Sequence, residues 1–129
     1  MIPVTTLLPH KTLNLSYRIE YLEERITNLC KSTAYLNNYI PDNPSNREYL
    51  ARVNFVTAEL GKTLLLIQSN GDVKDQKELA NKSITLVRQA MFWYKLILGT
   101  NLLFDKGHLI LLLDMCLLIE SDLTKELFT

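Results

Sequence analysis

The stretch LSYRIEYLEERITNLCKSTAYLNNYIP, residues 15–41, decides the fold. Leu15, Ile19, Leu22, Ile26, Leu29, Thr33, Leu36 and Ile40 recur at alternating spacings of four and three. That spacing sets them on one stripe of a long amphipathic helix. Thr33 alone breaks the apolar set. A strict seven-residue repeat drifts relative to a straight helix, so the stripe predicts left-handed supercoiling against neighbouring helices, the geometry of a bundle. Pro41 ends this helix, because proline disfavours a helical residue before it.

Three more helices follow on the same logic. The loop Pro41-Asp42-Asn43-Pro44 leads to Ser45, which with Glu48 predicts a capping box at the start of a second helix. Tyr49, Val53, Val56, Leu60, Leu64 and Ile67 form its core stripe. Asn70-Gly71 predicts a left-handed stop, and Asp72 with Asp75 suits the dipole of the next N-terminus. The third helix is expected from about Val73 to Leu98, with Leu79, Leu86, Ala90, Trp93 and Ile97 inward and Gly99 as its stop. A fourth, starting near Asp105, keeps Leu109, Leu112, Cys116, Ile119 and Leu123 at spacings of three and four. Upstream, Met1 to Thr12 carries Pro3 and Pro9 and reads as an extended arm. Long helices with short joints pack as successive antiparallel neighbours. The predicted fold is therefore all-α, an up-down-up-down four-helix bundle in a single domain spanning 1–129, with the arm at 1–12.

Composition bounds what such a bundle does. With 47% hydrophobic residues and only four Gly and four Pro, the chain is globular. Lys plus Arg and Asp plus Glu both total 14, which gives no overall pull toward nucleic acid or an anionic membrane. Cys30 and Cys116 sit inside apolar helical patterns without metal-site or disulfide spacing, and read as reduced core residues. Met1 to Lys11 has no basic region ahead of an apolar one, so no signal peptide is read and a cytoplasmic location is expected. The apolar run Leu109 to Ile119 is broken by Asp114 and is shorter than the roughly 20 residues that cross a bilayer. No membrane contact is expected.

The apolar content exceeds what one bundle core needs. The fourth helix is apolar around most of its circumference between Leu109 and Ile119, and the second carries Phe55 and Leu66 off its main stripe. A helix apolar on all sides is buried on all sides, and in so small a domain another chain must supply the cover. Self-association is expected, with Phe55, Leu66, Leu113 and Leu117 as interface candidates. The alternative is that the N-terminal arm covers this surface within one chain.

Reactive residues are few. The histidines are His10, in the arm, and His108, near the start of the fourth helix, where a solvated side chain is expected. Neither has the Glu three residues earlier that bundle di-iron sites require, so no metal is expected. No second ligand accompanies His108 for haem, and no glycine loop cradles a phosphate. Cys116 and His108 lie two helical turns apart on an apolar background, poor geometry for a nucleophile and its base. No catalytic residue, cofactor or small-molecule substrate is expected. Asp114, in the middle of Leu-Leu-Leu-Asp-Met-Cys-Leu-Leu, is costly if buried unpaired. It is expected at the rim, meeting Arg88 or Lys95, with plain solvent exposure as the alternative.

On the third helix, Lys77, Asn81, Arg88 and Lys95 fall within a narrow arc beside the apolar face. One reading is a solvated face that pairs with the acidic fourth helix. The other is contact with RNA phosphates or an acidic protein surface, since a few aligned cations supply nonspecific affinity even in a neutral protein.

The segment Met91-Phe92-Trp93-Tyr94-Lys95-Leu96-Ile97-Leu98-Gly99, then a short loop and a helix ending Leu118-Ile119-Glu120-Ser121-Asp122-Leu123, resembles part of a known family. It is similar to the accessory variability determinant proteins of diversity-generating retroelements, grouped with the ribosomal-RNA intervening-sequence proteins. The resemblance covers the last third of the chain; the rest matches in helix length and pattern. It implies a homopentameric barrel of bundles that binds a reverse transcriptase and its RNA template through a basic surface. Lys95 matches a position usually held by arginine there, and Met91 stands where another arginine is common. Two functions follow as expectations: an accessory factor binding RNA or a polymerase through Lys77, Arg88 and Lys95, or a self-assembling scaffold that binds protein alone.

Overall fold

The computed structural model describes residues 10–69, 72–100 and 106–128. Its elements are α1 (His10–Ala34), a single 3₁₀ turn (Tyr35–Asn38), α2 (Pro44–Ser69), α3 (Val73–Thr100) and α4 (Gly107–Phe128). Each helix packs on the next, and α4 closes the ring against α1. Cross-helix contacts give the directions. Gln76 donates to the Ile67 carbonyl at one end of the α2–α3 pair, while Tyr49 and Trp93 stack 6.0 Å apart toward the other. Arg25 meets Asp122 while Ser32 meets His108, so α1 and α4 also run antiparallel. The fold is the up-down-up-down bundle that the repeats predict.

The α1 stripe is buried from Leu22 to Ile40, Thr33 included. That threonine has a use. Its hydroxyl donates to the Leu29 carbonyl at 2.6 Å, so in its 2.5 Å contact with Tyr94 the phenol is the donor. The chain of bonds Tyr94 to Thr33 to Leu29 leaves no polar group of the pair unsatisfied in a site fully closed to water. On the face expected for α3, Leu86, Ala90 and Ile97 are buried as predicted, and the Tyr94 bond shifts its centre. Tyr94, Val87 and Ala90 point to the bundle axis, whereas Leu79 and Trp93 are half-buried at its flank. The other buried hydroxyls, Thr57, Thr63 and Ser83, each donate to the carbonyl four residues earlier in their own helix.

Several boundaries differ from expectation, each for a local reason. Residues 10–12 are helical, so the arm is shorter than 1–12; residues 1–9 lie outside those described. The first α-helix stops at Ala34 rather than at Pro41. A 3₁₀ turn follows, in which Leu36 receives the amides of Tyr39 and Ile40 and both Leu36 and Ile40 stay in the core. The cap of α2 is not Ser45 but Asn43, whose Oδ1 accepts the Asn46 amide at 2.8 Å with Pro44 in the first helical position. Asn46 then returns a bond to the Pro41 carbonyl at 2.7 Å and is itself buried. Asn43→Ala is expected to cost about 1 kcal/mol in a urea unfolding curve while Ser45→Ala costs a few tenths at most. The reverse order would restore the capping box. At the head of α3, Asp72 caps through Oδ1 to the Lys74 amide at 2.9 Å, as its position suggests.

Gly99 is not a stop. It lies inside α3, and no glycine among the described residues has a positive φ. Asn70, Gly71 and Asp105, read as a stop and a start, fall outside the described residues.

Candidate interaction surface

The antiparallel register of α2 and α3 brings two short patterns opposite each other. Arg52 and Phe55 lie three residues apart on the α2 flank that faces α3, and Arg88 and Phe92 lie four apart on the outer side of α3. With Val56, Gln89 and Trp93 they line an open groove of ≈ 590 Å³. Phe55 is 64% and Phe92 55% exposed. Phe92 meets Trp93 edge-on, ring centroids 5.1 Å apart, and the Arg52 guanidinium lies 5.7 Å from the Trp93 ring centre. Arg52 also faces Glu48 at 3.9 Å. Aromatic and arginine side chains on a rigid helical face are the groups that carry most of the energy at protein interfaces. Phe55 and Arg88 were expected to serve different partners; the fold sets them in one groove. Arg52 and Phe92 were missed, and the signal for them was the spacing of three and four on the two flanks.

A second apolar surface is the outer face of α4. Its core stripe, Leu109, Leu112, Cys116, Ile119 and Leu123, is buried as predicted. Ile110, Leu111, Leu117 and Leu118 are each about half exposed. Of the interface candidates on this helix, Leu117 is free, while Leu113 is half-buried and packs against the core. Leu66 is exposed near the end of α2, eleven residues beyond Phe55, or roughly 16 Å along the helix.

Lys77, Arg88 and Lys95 all reach solvent, but their partners differ. Arg88 bonds Glu120 of α4 at 2.6 Å, the pairing with the acidic helix that one reading of the stripe anticipates. Asp114 was expected to take Arg88 or Lys95. The alternative, plain solvent exposure, is what the structure shows, with no ion pair among the described residues, because α3 presents Arg88 to Glu120, nearly two turns further along α4. Lys77 and Lys95 likewise carry no ion pair there.

The reactive groups are dispersed. Among the described residues no group of three or more His, Cys, Asp or Glu could hold a metal ion. His108, expected to be solvated, is half-buried, its Nε2 at 2.9 Å from the Ser32 carbonyl and its ring 5.5 Å from Tyr39. It ties the start of α4 to the end of α1. Both cysteines are free thiols; Cys116 is fully buried, while Cys30 is half-buried and donates to the Thr57 carbonyl at 3.3 Å. No helix among the described residues is long and apolar enough to cross a membrane.

Burial pushes the Cys116 thiol up from 9.0 to about 12, with the Glu120 carboxylate adding to the rise. The Tyr94 phenol is raised the same way, by burial and then by Cys116, with the Thr33 bond working against it. The folded chain thus holds the Cys116 proton past the pH at which the unfolded chain releases it. Stability is full below about pH 9 and falls as pH rises from 9.0 toward about 12. Urea midpoints measured across that window should fall less for Cys116→Ala than for the wild-type chain. Equal slopes would remove the thiol from the account.

Compared with protein-family models, curated proteins and solved structures, the chain matches none.

Proposed function

We propose that this chain is a non-enzymatic cytoplasmic protein that assembles with copies of itself and presents a helical surface to another macromolecule. The observation that carries the reading is the outer face of α4. Between Ile110 and Leu118 four large aliphatic side chains stand about half exposed, and the sole charge is Asp114. A contiguous apolar surface is rarely left open on a small monomer, and covering the exposed half of one such leucine stabilises by about 1 kcal/mol. Amine-reactive crosslinking at micromolar concentration tests the proposal. A ladder of chain multiples that ends at a fixed copy number is expected; a band at the single-chain position alone contradicts it.

The resemblance to retroelement accessory proteins supports a second reading, in which a homopentamer carries a reverse transcriptase and its RNA on a basic surface. The observation in its favour is that Lys77 and Lys95 reach solvent without an ion pair among the described residues. Arg88 joins them only by giving up Glu120. Scaffolding of protein alone is the better supported of the two, because the net charge is +0. Titrating salt into a mixture with structured RNA separates them: affinity that falls steeply with salt supports the second, and no binding at low salt removes it.

A further inference from the structure

We infer that the outer face of α4 in one copy seats in the α2–α3 groove of the next, with Asp114 meeting the groove's arginines. The inference rests on the self-assembly proposed above and says which surfaces meet. Three observations carry it. Ile110, Leu111, Asp114, Leu117 and Leu118 fall at i, i+1, i+4, i+7 and i+8, the stripe a helix lays into a hydrophobic groove. The groove offers the matching surface, Phe55 and Phe92 both more than half exposed beside Trp93. The charges are opposite: Arg52, which faces Glu48 at 3.9 Å, and Arg88, bonded to Glu120 at 2.6 Å, line the groove, and Asp114, the charge on the face, has no ion pair among the described residues and competes with those glutamates for them.

The sign of these charges selects among the ways two copies can meet. An α4-to-α4 pairing centred on this face sets Asp114 against its own copy. Groove on groove sets arginines against arginines. Both bring like charges together as water is excluded, where their repulsion grows. Face into groove pairs carboxylate with guanidinium, the geometry in which arginine bonds best. Such a contact is heterologous, since the copy that gives its face keeps an unused groove and the copy that gives its groove keeps an unused face. It continues to further copies until rotation closes a ring.

The experiment uses two variants of the full chain. Leu117→Asp disables the face and leaves the groove; Phe55→Asp disables the groove and leaves the face. Both positions are exposed, so far-ultraviolet circular dichroism should match the wild type. By light scattering each variant alone is expected to be a single chain, and an equimolar mixture a two-chain particle joined by the one intact face and the one intact groove. Phe55→Asp retaining the wild-type mass, or a mixture that stays single-chain, overturns the pairing while self-assembly stands. A wild-type chain that is itself monomeric removes self-assembly and the pairing with it. If either aspartate variant loses helix, the charge swap decides: Asp114→Arg lowers the mass and adding Arg52→Glu restores it. Asp114→Arg with unchanged mass overturns the inference.

Discussion

Tyr94→Ala is expected to lower the unfolding free energy by about 3–5 kcal/mol, the range for emptying a buried aromatic site. Against a total of about 5–15 kcal/mol for a chain of ordinary stability, that brings the variant to the edge of folding at room temperature. Tyr94 sits fully buried at the centre of the bundle, its phenol bonded to Thr33 of the diagonally opposite helix. Two milder substitutions separate packing from bonding. Thr33→Val keeps the shape but strands the buried phenol, a loss of about 1–3 kcal/mol. Tyr94→Phe added to Thr33→Val removes both polar groups together and should recover most of that loss. Urea unfolding at one fixed protein concentration measures all three, since assembly makes stability depend on concentration. A double variant less stable than Thr33→Val alone would mean that the Tyr94 hydroxyl has another partner.

Leu117→Lys is expected to abolish assembly and leave a folded single chain of 14.9 kDa. The leucine is 53% exposed on the outer face of α4, so the substitution touches little within its own bundle. In an assembly it would remove apolar cover worth about 1 kcal/mol at every contact, since half of the side chain is already covered, and bring an ammonium into a drying interface, which costs more. Because each copy contributes the same defect, the losses multiply around a ring. Asn28→Lys, at an exposed position on α1, serves as the control and should leave the mass unchanged. Wild-type mass in Leu117→Lys would move the interface off this helix.

The stripes of α1 and α4 were legible because there the spacing of three and four coincides with a nearly unbroken set of apolar residues. Thr33 was the one visible exception, and its meaning needed the partner helix, since a lone threonine in a seam says nothing of a phenol 61 positions later. On α3, Leu86, Ala90 and Ile97 were placed correctly, while Leu79 and Trp93 were set too far inward for the same reason. Trp93 is the more apolar neighbour, yet Tyr94 takes the axis because a hydrogen-bond partner waits there and the Trp93 ring is useful at the flank beside Arg52. At the α2 start, two capping signals compete within three residues. Asn43 before Pro44 prevails over Ser45 because proline is preorganised for the first helical turn. The candidate surface was half legible: Phe55, Arg88 and Leu117 could be named from spacing, but Phe55 and Arg88 are brought together by a register between helices that no single helix encodes.

The most direct test of the central claim is the mass of the wild-type chain by light scattering as it elutes from a size-exclusion column at micromolar concentration. The account predicts a single species at several times 14.9 kDa. A stable monomer, with the outer face of α4 left open to water, would contradict it.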